Sequence, residues 1–172
     1  MKVPYIIWLP IIILSVACNN TDHKSVIKQK PDKNAIEDIN RYFVQKDRER
    51  IQNYIERKNL QMKESSTGLW YCIRKEGTGK FFTDNDKISI TYKCSLLDGT
   101  ECYNSAKLGP KEFVLGKSEI EPGLNEGLRL LKPGGEAIFI LPPFLGYGLM
   151  GDGKSIPSRS VLVYDIIIRN IK

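Results

Sequence analysis

Ile120-Glu-Pro-Gly-Leu-Asn-Glu-Gly-Leu-Arg-Leu-Leu-Lys-Pro-Gly-Gly135 is the stretch on which the fold turns. Proline is tolerated in a first helical turn, where its missing N–H is not needed. Leu124, Leu128 and Leu131 then recur at steps of four and three and share one side. Pro133-Gly134-Gly135 stops the run, so the spacing predicts one short helix over Pro122–Leu131. On both sides the period falls to two. Upstream, Leu69–Lys75 (LWYCIRK) reads as a strand closed by Gly77-Thr-Gly79. Lys87–Leu97 (KISITYKCSLL) sets Ile88, Ile90, Tyr92 and Cys94 on one face and ends at the turn pair Asp98-Gly99. Glu112–Leu115 is a shorter strand. Downstream, Glu136–Leu141 and Val161–Ile171 are the last two, the second alternating Leu162, Tyr164, Ile166 and Ile168. Several strands with a single helix predict an α+β domain, an antiparallel sheet wrapped around that helix.

The chain has 172 residues, enough for one ordinary domain and an extension at one end. An apolar share of 41% with 27% charged residues is globular and excludes a mainly disordered or fibrous chain. One His and four Cys leave little material for histidine catalysis or a multi-ligand metal site.

Met1-Lys2 is followed by an apolar run from Val3 to Ala17 and then Cys18-Asn19-Asn20. A membrane-spanning helix needs about 20 apolar residues, and this run is shorter and carries Pro4 and Pro10. One positive charge, an apolar stretch and small residues before a cleavage point form a secretory signal over 1–17. Leu14-Ser15-Val16-Ala17-Cys18 resembles the lipobox of bacterial lipoproteins, with Leu one place further back than usual. The resemblance implies an acylated Cys18 as the mature N-terminus, and so a protein held at a membrane on the periplasmic side or the cell surface. An ordinary signal followed by a Cys by chance is the alternative. Cys72, Cys94 and Cys102 are then left, an odd number without a Cys-x-x-Cys spacing. They read as small apolar side chains on strands, with one disulfide as the other possibility.

Residues 19–33 are polar and include Pro31 and the lone His23, as expected of a tether from Cys18. From Asn34 the pattern becomes helical: Ile36, Ile39 and Phe43, then Ile51, Tyr54 and Ile55, recur at helical steps. Lys46-Asp-Arg-Glu-Arg50 and Glu56-Arg-Lys58 mix signs, the mark of a solvated face. Segment 24–64 holds eleven basic and seven acidic residues, against fourteen and twelve in 65–172, so the net charge of +6 sits mainly in this amphipathic helical arm, 34–59. Nucleic-acid binding asks for a one-sign patch with aromatic residues interleaved; mixed signs and an export signal argue against it. The apolar stripe needs a partner surface: its own domain at 60–172, a second copy in a homodimer, or another envelope protein.

Phe113-Val-Leu-Gly-Lys117, Ile120–Gly127, Lys132-Pro-Gly-Gly135, Leu145-Gly-Tyr-Gly148, Ile156-Pro157 and Leu162-Val-Tyr-Asp165 stand in an order and spacing that resemble the FK506-binding-protein family of peptidyl-prolyl isomerases. The likeness covers about 69–172. The signal, the arm and the Leu-Trp-Tyr strand are further similar to gliding-motility-associated isomerase-like lipoproteins of the Bacteroidota. The family resemblance implies a half-barrel curled around the short helix, with an aromatic pocket between them. By position, Tyr92, Phe113, Ile120, Tyr147, Ile156 and Tyr164 would line the pocket over Leu124, where the family often has Trp. Tyr147 hydroxyl and the Ile120 backbone N–H would donate to substrate carbonyls, and Tyr92 would present its edge and hydroxyl to the prolyl ring, so that Tyr92, Tyr147 and Tyr164 carry the catalysis. Counted without gaps, Cys102 stands where the family usually has Phe and Tyr103 where it has Asp; shifted by one, Tyr103 and Asn104 take those places. Either way the family's carboxylate is missing. Glu121, Glu126 and Lys117 read as surface residues. The implied substrates are proline-containing segments of exported polypeptides, with no metal, nucleophile or cofactor. An inactive or weakly active binding module in an envelope or motility assembly is the alternative.

Overall fold

Alternation along the last strand sorts the protein into two faces. The computed structural model describes residues 32–169, so the signal, Cys18 and nearly all of the tether lie outside the described residues. The chain runs α1 (Lys33–Arg57), β1 (Lys63–Glu64), β2 (Trp70–Lys75), β3 (Lys87–Leu96), β4 (Glu101–Asn104), α2 (Ser105–Leu108), β5 (Lys111–Val114), α3 (Pro122–Leu128), β6 (Glu136–Leu141), a 3-10 turn (Pro143–Leu145) and β7 (Leu162–Arg169). The strands pair antiparallel in the order β1-β2-β6-β7-β3-β4. Ten-residue β3 is long enough to hold β7 along one edge and both β5 and β4 along the other.

Leu162, Tyr164, Ile166 and Ile168 of β7 point to one face. There they meet Ile88, Ile90 and Cys94 of β3, Ala137, Phe139 and Leu141 of β6, and Leu124 and Leu128 of α3. This is the predicted α+β arrangement of a sheet packed on a short helix. Gly127 is what lets α3 come so close: a Cβ there would stand 2.9 Å from the Phe139 ring. The helix ends at Leu128, three residues short of the expected Leu131. Its last turn tightens into i→i+3 bonds, Leu130 N to Gly127 O and Leu131 N to Leu128 O, which still bury Leu131.

Val161 and Val163 point the other way. With Ile140 they form a second apolar cluster that receives Ile51, flanked by Tyr54 and Ile55 of α1. The second half of the helical arm therefore packs on its own domain, and α1 and the sheet fall in one compact unit that begins at Lys33. Asp47 of α1 is buried, 5% exposed, and takes Arg159 at 2.9 Å and Arg50 at 3.4 Å. The Arg159 guanidinium also lies 3.8 Å from the Phe43 ring centroid. Ile36 and Ile39, one turn from the start, stay exposed.

Candidate functional site

The nine side chains singled out in the domain come together. Tyr92 from β3, Cys102 and Tyr103 from β4, Phe113 from β5, Ile120 ahead of α3, Leu124 from α3, Tyr147 after the 3-10 turn, Ile156 from the loop before β7, and Tyr164 from β7 all belong to or pack on the first cluster. Leu124, Ile156, Tyr164 and Phe113 are buried; the other five are partly covered. The Tyr92 and Tyr164 rings lie 6.2 Å apart and tilted by 40°.

Local structure explains why two consecutive residues of β4 both reach this cluster. The β3–β4 register shifts between Cys94↔Tyr103 and Ser95↔Glu101, so Cys102 is an extra residue in the ladder. Such a bulge disturbs the alternation and re-aims side chains. Asn104, one of the two candidates for the missing carboxylate's place, is used elsewhere: its Oδ1 accepts the Ala106 N–H at 2.8 Å and caps α2. Tyr103 instead donates its hydroxyl to Asp152 Oδ2. Asp152 Oδ1 accepts the N–H groups of Lys154 (2.9 Å) and Ile156 (2.8 Å), and so folds the loop that carries Ile156. A carboxylate thus meets the β4 tyrosine after all, from a loop some fifty residues away in sequence. Desolvation opposes its ionisation, but the Tyr103 hydroxyl and the two N–H groups hold its pKa below the usual carboxylate value.

The surface expectation for Glu121 is overturned. Its side chain turns into the cluster, and the residue is only 5% exposed. Tyr164 donates its hydroxyl to Oε1 at 2.6 Å, Lys111 Nζ stands 3.6 Å from Oε2, and Tyr147 interacts with the same carboxylate. Burial works against the charge. Lys111, the two hydroxyls and the residue's own N–H outweigh it, and the carboxyl is held below its usual pKa. Among the described residues, Oε2 nevertheless has no hydrogen-bond donor. Burial first, then the neighbouring Glu121, push the Tyr147 and Tyr164 hydroxyls far up, so both stay protonated donors. The signal in the sequence was indirect: tyrosines on apolar faces need an acceptor for their hydroxyls. Of the other two residues read as surface, Lys117 is exposed, while Glu126 accepts the Thr67 hydroxyl at 2.5 Å.

Among the described residues, Cys72, Cys94 and Cys102 form no disulfide with one another and are free thiols. Burial pushes Cys94 up to about 12 and raises Cys102 as well. Neither is a thiolate near neutral pH, so the thiols of the cluster are poor nucleophiles.

Residues 79–169 match the family model for FKBP-type peptidyl-prolyl cis-trans isomerase, and they include all nine clustered side chains. The chain belongs to the FKBP-type peptidyl-prolyl cis-trans isomerase family. Its similarity to the isomerase FkpA of Buchnera aphidicola subsp. Baizongia pistaciae is 40% identity over 116 residues, 67% of this chain and 45% of that protein. With FkpA of Escherichia coli K12 it shares 39% over 112 residues, 64% and 40% of the two chains. The chain therefore spans less than half the length of these FKBP-type relatives. Among solved structures, that of FkpA from Escherichia coli superposes with a TM-score of 0.64 at 32% identity, over 83% of this chain and 74% of that one. AtFKBP13 gives 0.60 at 28% identity, over 65% of this chain and 99% of its own.

Proposed function

We propose that this FKBP-type domain catalyses cis–trans isomerisation of X-Pro bonds in exported polypeptides, from a membrane anchor at Cys18. The observation that carries the catalytic part is the convergence of Tyr92, Tyr147 and Tyr164 on one apolar cluster whose thiols are protonated. Rotation about a peptide bond faces a barrier of roughly 18–20 kcal/mol, because resonance stiffens the C–N bond. In the twisted transition state that resonance is lost and the amide is less polar. A dry aromatic site disfavours the planar amide relative to the twisted one, so binding is differential and no covalent step is required. The partial exposure of Tyr147 supports this reading, in which its hydroxyl would donate to a substrate carbonyl. The lipobox-like Leu14–Cys18 supports the anchor, and the apolar run before it supports export.

A second reading has an observation in its favour. Tyr164 and Tyr147 are both engaged by Glu121, which suits a site that holds a segment more than one that turns it over. The exposed Ile36 and Ile39 of α1 would then serve an envelope or gliding-motility partner.

A proline-limited refolding assay separates the two. The full chain carrying Cys18→Ala is expected to accelerate the slow phase, and Tyr147→Phe to remove most of the acceleration while the fold is kept. No acceleration by the parent chain would leave the binding module standing. Fatty-acid incorporation abolished by Cys18→Ala tests the anchor separately.

A further inference from the structure

A buried carboxylate in the middle of an apolar cluster is costly to keep. Removing an ion from water carries an effective penalty of several kcal/mol, offset only by a well-made set of partners. Glu121 has an incomplete set. Oε1 takes the Tyr164 hydroxyl at 2.6 Å and the Tyr147 hydroxyl acts on the same carboxylate, while among the described residues Oε2 has no donor in hydrogen-bond geometry and faces Lys111 at 3.6 Å, a separation too long for a hydrogen bond. Asp152 adds a second negative charge at the same cluster, bound to Tyr103 and felt by Tyr147. Among the described residues Lys111 is the one cation paired with either of them, and it is itself about a third exposed. Two carboxylates and one partly hydrated ammonium leave the site with an excess negative charge.

We propose that Glu121 is a specificity-determining residue that makes the site select prolyl segments carrying a Lys or Arg beside the proline. This rests on the isomerase reading above and deepens it. A substrate cation approaching the cluster would find the Oε2 side of Glu121 in a low-dielectric setting, where charge pairs are felt over longer distances than in water, and the Asp152 charge nearer the solvent. A substrate Glu in the same place would be repelled. Hydrophobic residues beside the proline would gain only their contact area.

The test measures kcat/KM of the full chain carrying Cys18→Ala on three peptides that differ only in the residue before proline: Lys, Leu or Glu. At about 0.01 M ionic strength, where the screening length is about 30 Å, the order Lys, Leu, Glu is expected, with about tenfold or more between the ends. Raising the ionic strength to about 1 M, where that length is about 3 Å, should shrink the ratio. Glu121→Gln keeps the side-chain shape without the charge, and Glu121→Met replaces it with apolar volume. Either one, if folded by circular dichroism, should bring the Lys-to-Glu ratio below about threefold. Turnover of the Leu peptide with a flat parent series overturns the inference and leaves the isomerase reading intact, as does a ratio that survives both substitutions. Should both variants unfold, the parent series and its salt dependence decide. Failure on all three peptides removes the isomerase reading and this inference together.

Discussion

The two faces of the sheet each bury one carboxylate and treat it differently. On the α1 face, Asp47 is met by two arginines, Arg159 at 2.9 Å and Arg50 at 3.4 Å, and Arg159 is further held over Phe43. On the α3 face, Glu121 is met mainly by hydroxyls and by one lysine at 3.6 Å, with Oε2 undonated. Arginine presents a rigid fork of donors and is weakly hydrated, which suits a fixed joint. Tyrosine hydroxyls can rotate to another acceptor, which suits a site that must exchange partners. Asp47 therefore reads as a joint that fixes α1 to the loop before β7, and Glu121 as part of a surface that works on something else.

Substitutions that separate the faces test this division, and the largest effect belongs to the joint. Ile51→Ala removes the one fully buried α1 side chain from the cluster of Ile140, Val161 and Val163. It is expected to cost about 2–5 kcal/mol, as buried Ile truncations do. The transition should fall by several degrees in calorimetry, while kcat/KM per folded molecule is unchanged; lost activity in a fully folded variant would mean the faces are coupled. Next in size, Tyr164→Phe strips Glu121 Oε1 of its donor and is expected to cost about 1–3 kcal/mol in urea denaturation. That loss should exceed the one from Arg159→Met, because Asp47 keeps Arg50. The reverse order would show Glu121, not Asp47, to be the better-compensated charge.

How much of this was legible depended on whether a residue's role is local. The alternation of Leu162, Tyr164, Ile166 and Ile168 and the Leu124, Leu128, Leu131 stripe placed the main core on the correct faces, because period alone decides which side a residue shows. The bounds expected for β6, Glu136–Leu141, match to the residue. The short pieces were not. β4 and α2 depend on a bulge at Cys102 and a cap by Asn104, which have no period to read. The α1 stripe was visible, but its division into a packed half at Ile51 and an exposed half at Ile36 and Ile39 depends on where Val161 and Val163 lie in space. The contacts that matter most at the site are the least local. Tyr103 with Asp152 and Tyr164 with Glu121 join residues 49 and 43 positions apart, and no spacing rule links them.

The smallest expected effect is in acid, and it bears on Glu121 alone. Its folded pKa lies below the usual 4.5 because Lys111, Tyr147 and Tyr164 together outweigh desolvation. The unfolded chain therefore binds the proton more tightly than the native one. The stabilisation from this group is present above the unfolded value and is lost as pH falls through it toward the lower folded value. Asp152 is lowered too, as are Glu49, Asp98 and Glu101, so the parent chain loses stability over the same window for several reasons. Glu121→Gln keeps all of those and removes one. Urea midpoints measured from neutral pH down into the acid range should fall less steeply in Glu121→Gln, the two curves converging below pH 4.5. Parallel curves would mean that the carboxyl is already neutral when buried, and the anionic site with its preference for basic segments would go with it.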